Sequence, residues 1–113
     1  MSRNLRNLIP LGSVIAEREL TFERQNEKPR IIRVQVGAPV PDPDGRGSAL
    51  CPMLVSGFDR EERLTMGGVD TMQALILGLA ALREFLALCA RQYGGALSWL
   101  GTDDLGFAGR SQG

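Results

Sequence analysis

The sequence contains no histidine, and this absence excludes several common kinds of active site. A Ser–His–Asp or Cys–His system requires an imidazole base, and many metal sites require imidazole ligands. Zinc sites without histidine need several cysteines, whereas the chain has two, Cys51 and Cys89. We therefore expect no metal ion and no cofactor, and we favour a non-enzymatic protein over an enzyme.

Cysteine is also too scarce for a fold stabilised by disulfides, since small secreted domains of that kind carry more cysteines at regular spacing. Cys51 lies in the apolar run LCPMLV, and Cys89 lies in an apolar segment with helical periodicity. Nothing near either residue offers an activating base. Both are therefore predicted to be buried, unreactive thiols.

Neither sign of charge is in excess, because 13 Lys and Arg residues balance 13 Asp and Glu residues. Nucleic-acid binding draws much of its free energy from a basic surface that neutralises phosphates. The balance therefore argues against a nucleic-acid partner.

A long uninterrupted apolar run is absent as well. The most apolar stretch, residues 72–90, contains Gln73, Arg83 and Glu84. A membrane-spanning helix of about 20 residues is nearly free of such groups. The N-terminal sequence MSRNLRNLIPLGSVI lacks the continuous apolar core of a signal peptide. We expect a soluble, cytoplasmic protein with no membrane partner.

Two segments on either side of the turn sequence NEKP predict a β-hairpin with one apolar face. The apolar positions are Val14, Ala16, Leu20 and Phe22 in the first segment and Ile32, Val34 and Val36 in the second. Closing the turn over residues 25–29 sets Phe22 opposite Ile32. Arg18 alone breaks the alternation, because it falls on the apolar face.

Residues 37–48, GAPVPDPDGRGS, hold three prolines and three glycines and predict a long loop rather than a strand. Asp42 and Asp44 resemble the start of a calcium loop, but the twelfth position from Asp42 is Met53 instead of glutamate. A plain turn explains these residues better. Residues 49–58 and 63–67 predict a third and a fourth strand.

The strongest element is a helix predicted from Thr71 to about Tyr93. Asp70 is its N-cap, with Gln73 three residues on, and two glycines at 94 and 95 end it. Its apolar residues cover more of the circumference than one sheet face can bury. The tail LSWLGTDDLGF is expected to cover part of the remainder, and the same helix of a second copy is expected to cover more of it.

These elements predict a single domain over residues 1–113, with residues 1–12 and 109–113 flexible. The predicted class is α+β: an antiparallel sheet of about four strands packed against one long C-terminal helix, followed by an irregular tail.

Three strings in the sequence, GVDTMQALILGL, LSWLG and DLGF, resemble a family of small uncharacterised bacterial proteins known as a domain of unknown function. A loop like VGAPVPDPDG and a Cys-Pro pair at the start of a strand, here Cys51-Pro52, extend the resemblance over most of the chain after Ser13. It implies a bacterial source and a shared small fold. It implies no activity, cofactor or catalytic residue.

Arg18 is interpreted in two ways. It extends to solvent at the sheet margin, or it is a partly buried cation that pairs with Asp70, Asp103 or Asp104 and ties the sheet to the tail. The carboxylates of Asp103 and Asp104 lie in turn-like sequence and are expected to be solvated, as are those of Asp59, Glu61 and Glu62.

Two functional hypotheses follow. The first is a non-enzymatic interaction module, or small homodimeric protein, that acts through its apolar helix or its outer sheet face. The second is a small-ligand-binding protein or hydrolase with a pocket between the 37–48 loop and the Trp99 tail. The candidate ligand-binding residues are Arg18, Asp42, Asp44, Trp99, Asp103 and Asp104. The expected partner is a second copy or another protein.

Overall fold

The computed structural model describes residues 9–45 and 47–107. Apart from residues 9–12, the segments predicted to be flexible therefore lie outside the described residues. The described residues form six strands and one helix in an α+β arrangement, so the predicted class is confirmed, but the strands outnumber the four expected. The elements are β1 (Val14–Arg24), β2 (Arg30–Gly37), β3 (Val40–Pro41), β4 (Ala49–Ser56), β5 (Glu62–Gly68), α1 (Thr71–Gln92) and β6 (Gly95–Ser98).

The predicted hairpin forms between β1 and β2, but its register is shifted by two residues. Leu20 lies opposite Ile32 and Phe22 opposite Arg30, whereas the sequence predicted Phe22 opposite Ile32. The chain reverses more tightly than expected, with Asn26 at a φ of 66° and the Glu27 N–H donating to the Arg24 carbonyl. A two-residue shift preserves the parity of a strand, so the predicted faces are correct from Ala16 onwards, whereas a register shift between Val14 and Ala16 breaks the parity at Val14, which is 42% exposed.

Four strands, β1, β2, β4 and β5, form an antiparallel meander in which each pairs with the one before it. β3 prolongs β2 along the same edge of β4, since Val36 pairs with Met53 and Val40 with Leu50. The loop predicted at residues 37–48 thus contains a short strand. The Asp42 N–H donates to the Ser48 carbonyl, so the nitrogen of the preceding Pro41 points away from β4 and costs the sheet no hydrogen bond.

The tail predicted to be irregular begins with a strand instead. β6 pairs antiparallel with β1, placing Leu97 opposite Phe22 on the inner face. Gly95 permits this pairing, because a Cβ there would lie 2.6 Å from the Phe22 ring. Since β6 flanks β1 on one side of the sheet and β5 flanks β4 on the other, α1 connects opposite edges of the sheet.

The helix begins as the sequence predicts. Asp70 Oδ1 accepts a hydrogen bond from the Gln73 N–H at 2.8 Å, and Gln73 Oε1 accepts one from the Val69 N–H at 2.8 Å. Gly78 lets the helix approach β4, because a Cβ there would lie 3.0 Å from Cε of Met53.

The hydrophobic core lies between α1 and the inner sheet face. Its buried members are Leu20, Phe22, Ile32, Val34, Val36, Ala49, Cys51, Met53, Val55, Phe58, Ala74, Leu82, Leu86, Cys89 and Ala90. Both cysteines are buried, as predicted, and burial raises the pKa of the Cys51 thiol.

Candidate functional site

Arg18 lies on the inner face of β1 and is held by the tail. Its Nη1 donates hydrogen bonds to the carbonyl oxygens of Leu105 at 3.0 Å and Gly106 at 3.1 Å. These contacts tie the sheet to the tail, as the second interpretation of Arg18 proposed. The acceptors, however, are backbone carbonyls rather than the carboxylates of Asp70, Asp103 or Asp104.

Two aromatic rings complete the surroundings of the Arg18 guanidinium. Cζ lies 3.8 Å from the centroid of the Trp99 ring and 5.0 Å from that of Phe107. Both rings present π density that attracts a cation. Arg18 forms no ion pair with any residue in the described ranges. The two carbonyl dipoles and the two aromatic rings stabilise the positive charge of Arg18. They carry no net negative charge that would neutralise it.

A tight turn returns the tail to Arg18. Trp99 and Thr102 exchange two backbone hydrogen bonds, of 2.8 and 3.0 Å, across Leu100 and Gly101. Both central residues have positive φ, 51° and 83°, as a type I′ turn requires. Leu100 was expected to cover the helix, but this turn leaves it 81% exposed.

Asp104 shapes the last part of the tail. Its Oδ1 accepts a hydrogen bond from the Gly106 N–H at 2.9 Å, and Gly106 has a φ of 77°. A Cβ on Gly106 would lie 2.4 Å from Cζ3 of Trp99 and 3.0 Å from Nη1 of Arg18. Only glycine therefore fits at this position. We call Arg18, Trp99, Gly106 and Phe107 the clasp.

A cavity of about 210 Å³ lies beside the clasp. Its apolar walls come from the sheet, the helix and the tail: Ala16, Val34, Val36, Leu79 and Phe107. Arg18, Glu17 and Gly106 complete the lining. The Glu17 carboxylate is engaged elsewhere, since it accepts a hydrogen bond from Gln35 and forms an ion pair with Arg33. Arg18 is thus the principal charged group of an otherwise apolar cavity.

The other predicted site residues occupy three places. Trp99 contacts Arg18, whereas Asp103 and Asp104 are exposed on the tail. Asp42 shapes a turn, because its Oδ1 accepts from the Asp44 N–H at 2.9 Å and its Oδ2 from the Ser48 hydroxyl at 3.2 Å. The described part of the 37–48 loop contributes no lining residue to the cavity. The structure therefore brings Arg18 and Trp99 together, without the aspartates.

An ion-pair cluster at the opposite end of β1 was missed by the sequence reasoning. The Asp59 carboxylate contacts Arg24 at 3.3 Å and Arg30 at 3.0 Å, and Glu27 bridges the same two arginines. Hydrogen bonds from Arg24 and Arg30 lower the pKa of Asp59, so this half-exposed carboxylate is paired, whereas the sequence predicted only that it is solvated. The available signal was that Glu27 lies between Arg24 and Arg30 in the turn that brings the two strands together.

The same cluster closes the C-terminal end of the helix. Arg24 Nη1 donates to the Tyr93 carbonyl at 3.0 Å, and the Tyr93 hydroxyl donates to Glu62. That hydrogen bond raises the pKa of Tyr93. Tyr93 stacks on Phe58 with ring centroids 4.9 Å apart. We interpret the cluster as structural, since each carboxylate named here already has a protein partner.

The outward face of α1 and the residue before its cap expose large apolar side chains. Their exposed fractions are 70% for Val69, 66% for Met72, 57% for Ile76, 39% for Leu77 and 54% for Leu88. The sequence predicted more apolar helix surface than one sheet face can bury, and Met72 and Ile76 belong to the part that remains exposed. The sheet instead contacts a stripe centred on Ala74, Gly78, Leu82, Leu86 and Cys89.

The helix is also long and apolar enough to cross a membrane, by length and composition alone. Core helices of soluble proteins meet the same criteria. Only 28% of its most apolar 18-residue window is buried inside the protein. Much apolar helix surface therefore remains uncovered by the described residues.

The described residues define a small α+β fold in which a meander sheet carries one long helix. A family model for a domain of unknown function, DUF6968, matches residues 16–109. The chain belongs to this family. Neither a curated protein nor a solved structure matches the sequence.

Proposed function

We propose that the protein is a non-enzymatic interaction module that associates with a second copy of itself through the outward face of α1. The observation that carries the proposal is the row of exposed apolar side chains on that face. Exposed apolar patches of this kind mark interaction surfaces in soluble proteins.

A second copy fits this face because the face is self-complementary. In an antiparallel pair about a two-fold axis, Ile76 of one helix lies near Leu88 of the other. Ala80 lies between them on the same exposed surface and permits close approach of the helices. Arg83 and Glu84, both exposed, provide opposite charges near the centre of the pair. The zero net charge of the chain adds no repulsion between copies.

The expected affinity is modest. Each apolar side chain is already partly covered in the monomer, so its burial contributes less than the roughly 1.5–3 kcal/mol of full burial. Association also loses translational and rotational freedom. We therefore expect a Kd in the range of about 1–100 µM.

A matched pair of variants tests which surface associates. Ile76 on the helix and Ile31 on the outer sheet face are 57% and 56% exposed. Ile76→Arg is expected to give a monomer by size-exclusion chromatography with light scattering at concentrations where the parent chain is dimeric. Ile31→Arg is expected to remain dimeric. A monomeric Ile31→Arg variant together with a dimeric Ile76→Arg variant would show that the interface lies on the sheet. If both variants remain dimeric, neither surface forms the interface.

The cavity beside the clasp supports a second candidate function, the binding of a small ligand. The supporting observation is Arg18, a cation without an ion-pair partner in the described ranges, at the edge of an apolar space. Binding is favoured over hydrolysis, because the described lining holds no nucleophile next to a base. A thermal-shift screen with a broad metabolite set tests this function, and a screen without a hit that requires Arg18 would count against it.

A further inference from the structure

We infer that the cavity beside the clasp binds a small apolar monocarboxylate, with Arg18 as the group that recognises its carboxylate. This inference rests on the second candidate function, ligand binding, and is independent of association through α1.

The guanidinium of Arg18 has the capacity to bind an anion. A guanidinium carries five N–H donors, and the two hydrogen bonds to the tail both use Nη1. Nε and Nη2 have no acceptor within residues 9–45 and 47–107. Arginine pairs with carboxylates through two parallel hydrogen bonds when such donors are available. A carboxylate would supply the charge that the tail carbonyls and the two rings do not.

The position of Arg18 is fixed before any ligand arrives. Trp99 lies 3.8 Å from Cζ on one side, and the tail carbonyls hold Nη1. A flexible arginine loses rotamer freedom when it binds a ligand, whereas this side chain has already lost it on folding. The clasp therefore preorganises the guanidinium beside the cavity.

The remaining lining selects an apolar ligand. Val34, Val36, Leu79 and Phe107 offer no hydrogen-bonding side chains to a hydroxylated or multiply charged molecule. A phosphate dianion would need more donors than a single arginine provides, and an organic cation would be repelled. The carboxylate of Glu17 does not oppose an anion at the cavity, because it pairs with Arg33 and Gln35.

The volume sets the size of the ligand. A cavity of about 210 Å³ corresponds to roughly seven water-sized volumes, at about 30 Å³ each. That space suits a carboxylate with about six to eight non-hydrogen atoms, such as a straight or branched chain of four to six carbons.

The chain provides its own optical probe for the test. Trp99 is the single tryptophan, and it contacts the group that would bind the carboxylate. Titration of the full chain with pentanoate is expected to change Trp99 fluorescence with saturation. Pentanamide, which has the same shape without the charge, is expected to bind at least about tenfold more weakly, since a charged hydrogen bond is lost. Pentylamine is expected not to bind.

Two variants locate the site, and a third serves as control. Arg18→Met is expected to abolish the preference for pentanoate over pentanamide. Ala16→Leu keeps the clasp but fills the cavity, and it is expected to weaken pentanoate binding about tenfold or more. Lys28→Met, which removes an exposed cation between β1 and β2 away from the cavity lining, is expected to bind as the parent does. Because Arg18→Met can loosen the tail, pentanoate binding to these variants is also followed by NMR shifts of Val34 and Val36.

The possible results distinguish a failure of the carboxylate assignment from a failure of the ligand-binding function. Equal affinity for pentanoate and pentanamide, lost in Ala16→Leu, would overturn the carboxylate assignment and leave a ligand-binding cavity. The absence of saturable binding by any four- to six-carbon carboxylate would overturn the inference, and a metabolite screen without a hit would remove the ligand-binding function as well. Pentanoate binding that persists unchanged in both Arg18→Met and Ala16→Leu would place it elsewhere and overturn the assigned site.

Discussion

At the scale of single residues, the sheet carries two arginines with different tasks on its opposite faces. Arg33 lies on the outer face, with Glu19 at 2.7 Å and Glu17 at 3.5 Å. Arg18 lies on the inner face with no carboxylate partner in the described part of the chain, but with two carbonyl acceptors and two aromatic rings. Exposed ion pairs contribute little to stability, whereas partly buried charged hydrogen bonds contribute more.

Replacing each of these arginines by methionine tests that difference. Arg18→Met is expected to lower the free energy of unfolding by about 2 kcal/mol, through loss of the hydrogen bonds and the cation–π contacts. Arg33→Met is expected to lower it by less than about 1 kcal/mol, although it removes two ion pairs. Urea denaturation of both variants gives the comparison. A larger loss for Arg33→Met would contradict this view of the clasp.

The Asp59 cluster predicts a dependence of stability on pH. Arg24 and Arg30 hold the pKa of Asp59 below its ordinary value of 3.8. The stabilisation by these arginines is therefore complete above the pKa of the unfolded chain and is lost as the pH falls through the lower folded value. The stability difference between the parent and Asp59→Asn should shrink below about pH 4. A carboxyl NMR titration with its midpoint at or above 3.8 would contradict the pairing.

The sequence identifies Arg18 as an unusual residue but does not identify the groups that it contacts. Arg18 is visible in the sequence because it interrupts an apolar alternation. Its acceptors are not, because they lie 87 and 88 residues away along the chain, and their approach depends on the turn at Leu100 and Gly101. The roles of Trp99 and Gly106 follow from the same distant contact.

At the scale of elements, the tail is ordered by local turns and by one close approach. Gly101 and Gly106 both have positive φ, 83° and 77°. A Cβ at Gly106 would lie 2.4 Å from the Trp99 ring, whereas a Cβ at Gly101 would meet no described atom within 4 Å. The two glycines therefore share the same backbone requirement and differ in packing.

This pair yields a prediction for the tail. Gly101→Ala is expected to lower the free energy of unfolding by about 1 kcal/mol, because alanine is strained at this positive φ. Gly106→Ala is expected to cost more and to change Trp99 fluorescence, because its methyl group overlaps the ring. Limited proteolysis with fluorescence measures whether the tail is released. If the two variants show the same proteolysis and the same Trp99 fluorescence, the contact between Gly106 and Trp99 does not hold the tail.

The elements differ in how far the sequence determines them. The cap at Asp70 is local, and its hydrogen bonds follow from residues three or four apart. The register of β1 and β2 is not local, since apolar alternation fixes the parity of a strand but allows a shift by two residues. β6 has only four residues and forms by pairing with β1, a partner about 75 residues earlier in the chain.

At the scale of the whole molecule, one helix spans a sheet that buries only one side of it. The sequence predicts the surplus of apolar surface, because apolar residues occupy more of the helix circumference than one sheet face can bury. It does not predict which of them remain exposed, since that depends on the close contact of Gly78 with Met53. The small residues Ala74 and Gly78 face the sheet, and Met72 and Ile76 face outward as a result.

The central claim is that this outward surface is covered by a second copy in solution. Sedimentation equilibrium of the full chain between about 1 and 500 µM, a range that brackets the expected Kd, measures it directly. We predict a mass that rises with concentration from the 12.3 kDa of one chain towards twice that value. A mass that stays at 12.3 kDa over the whole range would contradict the claim.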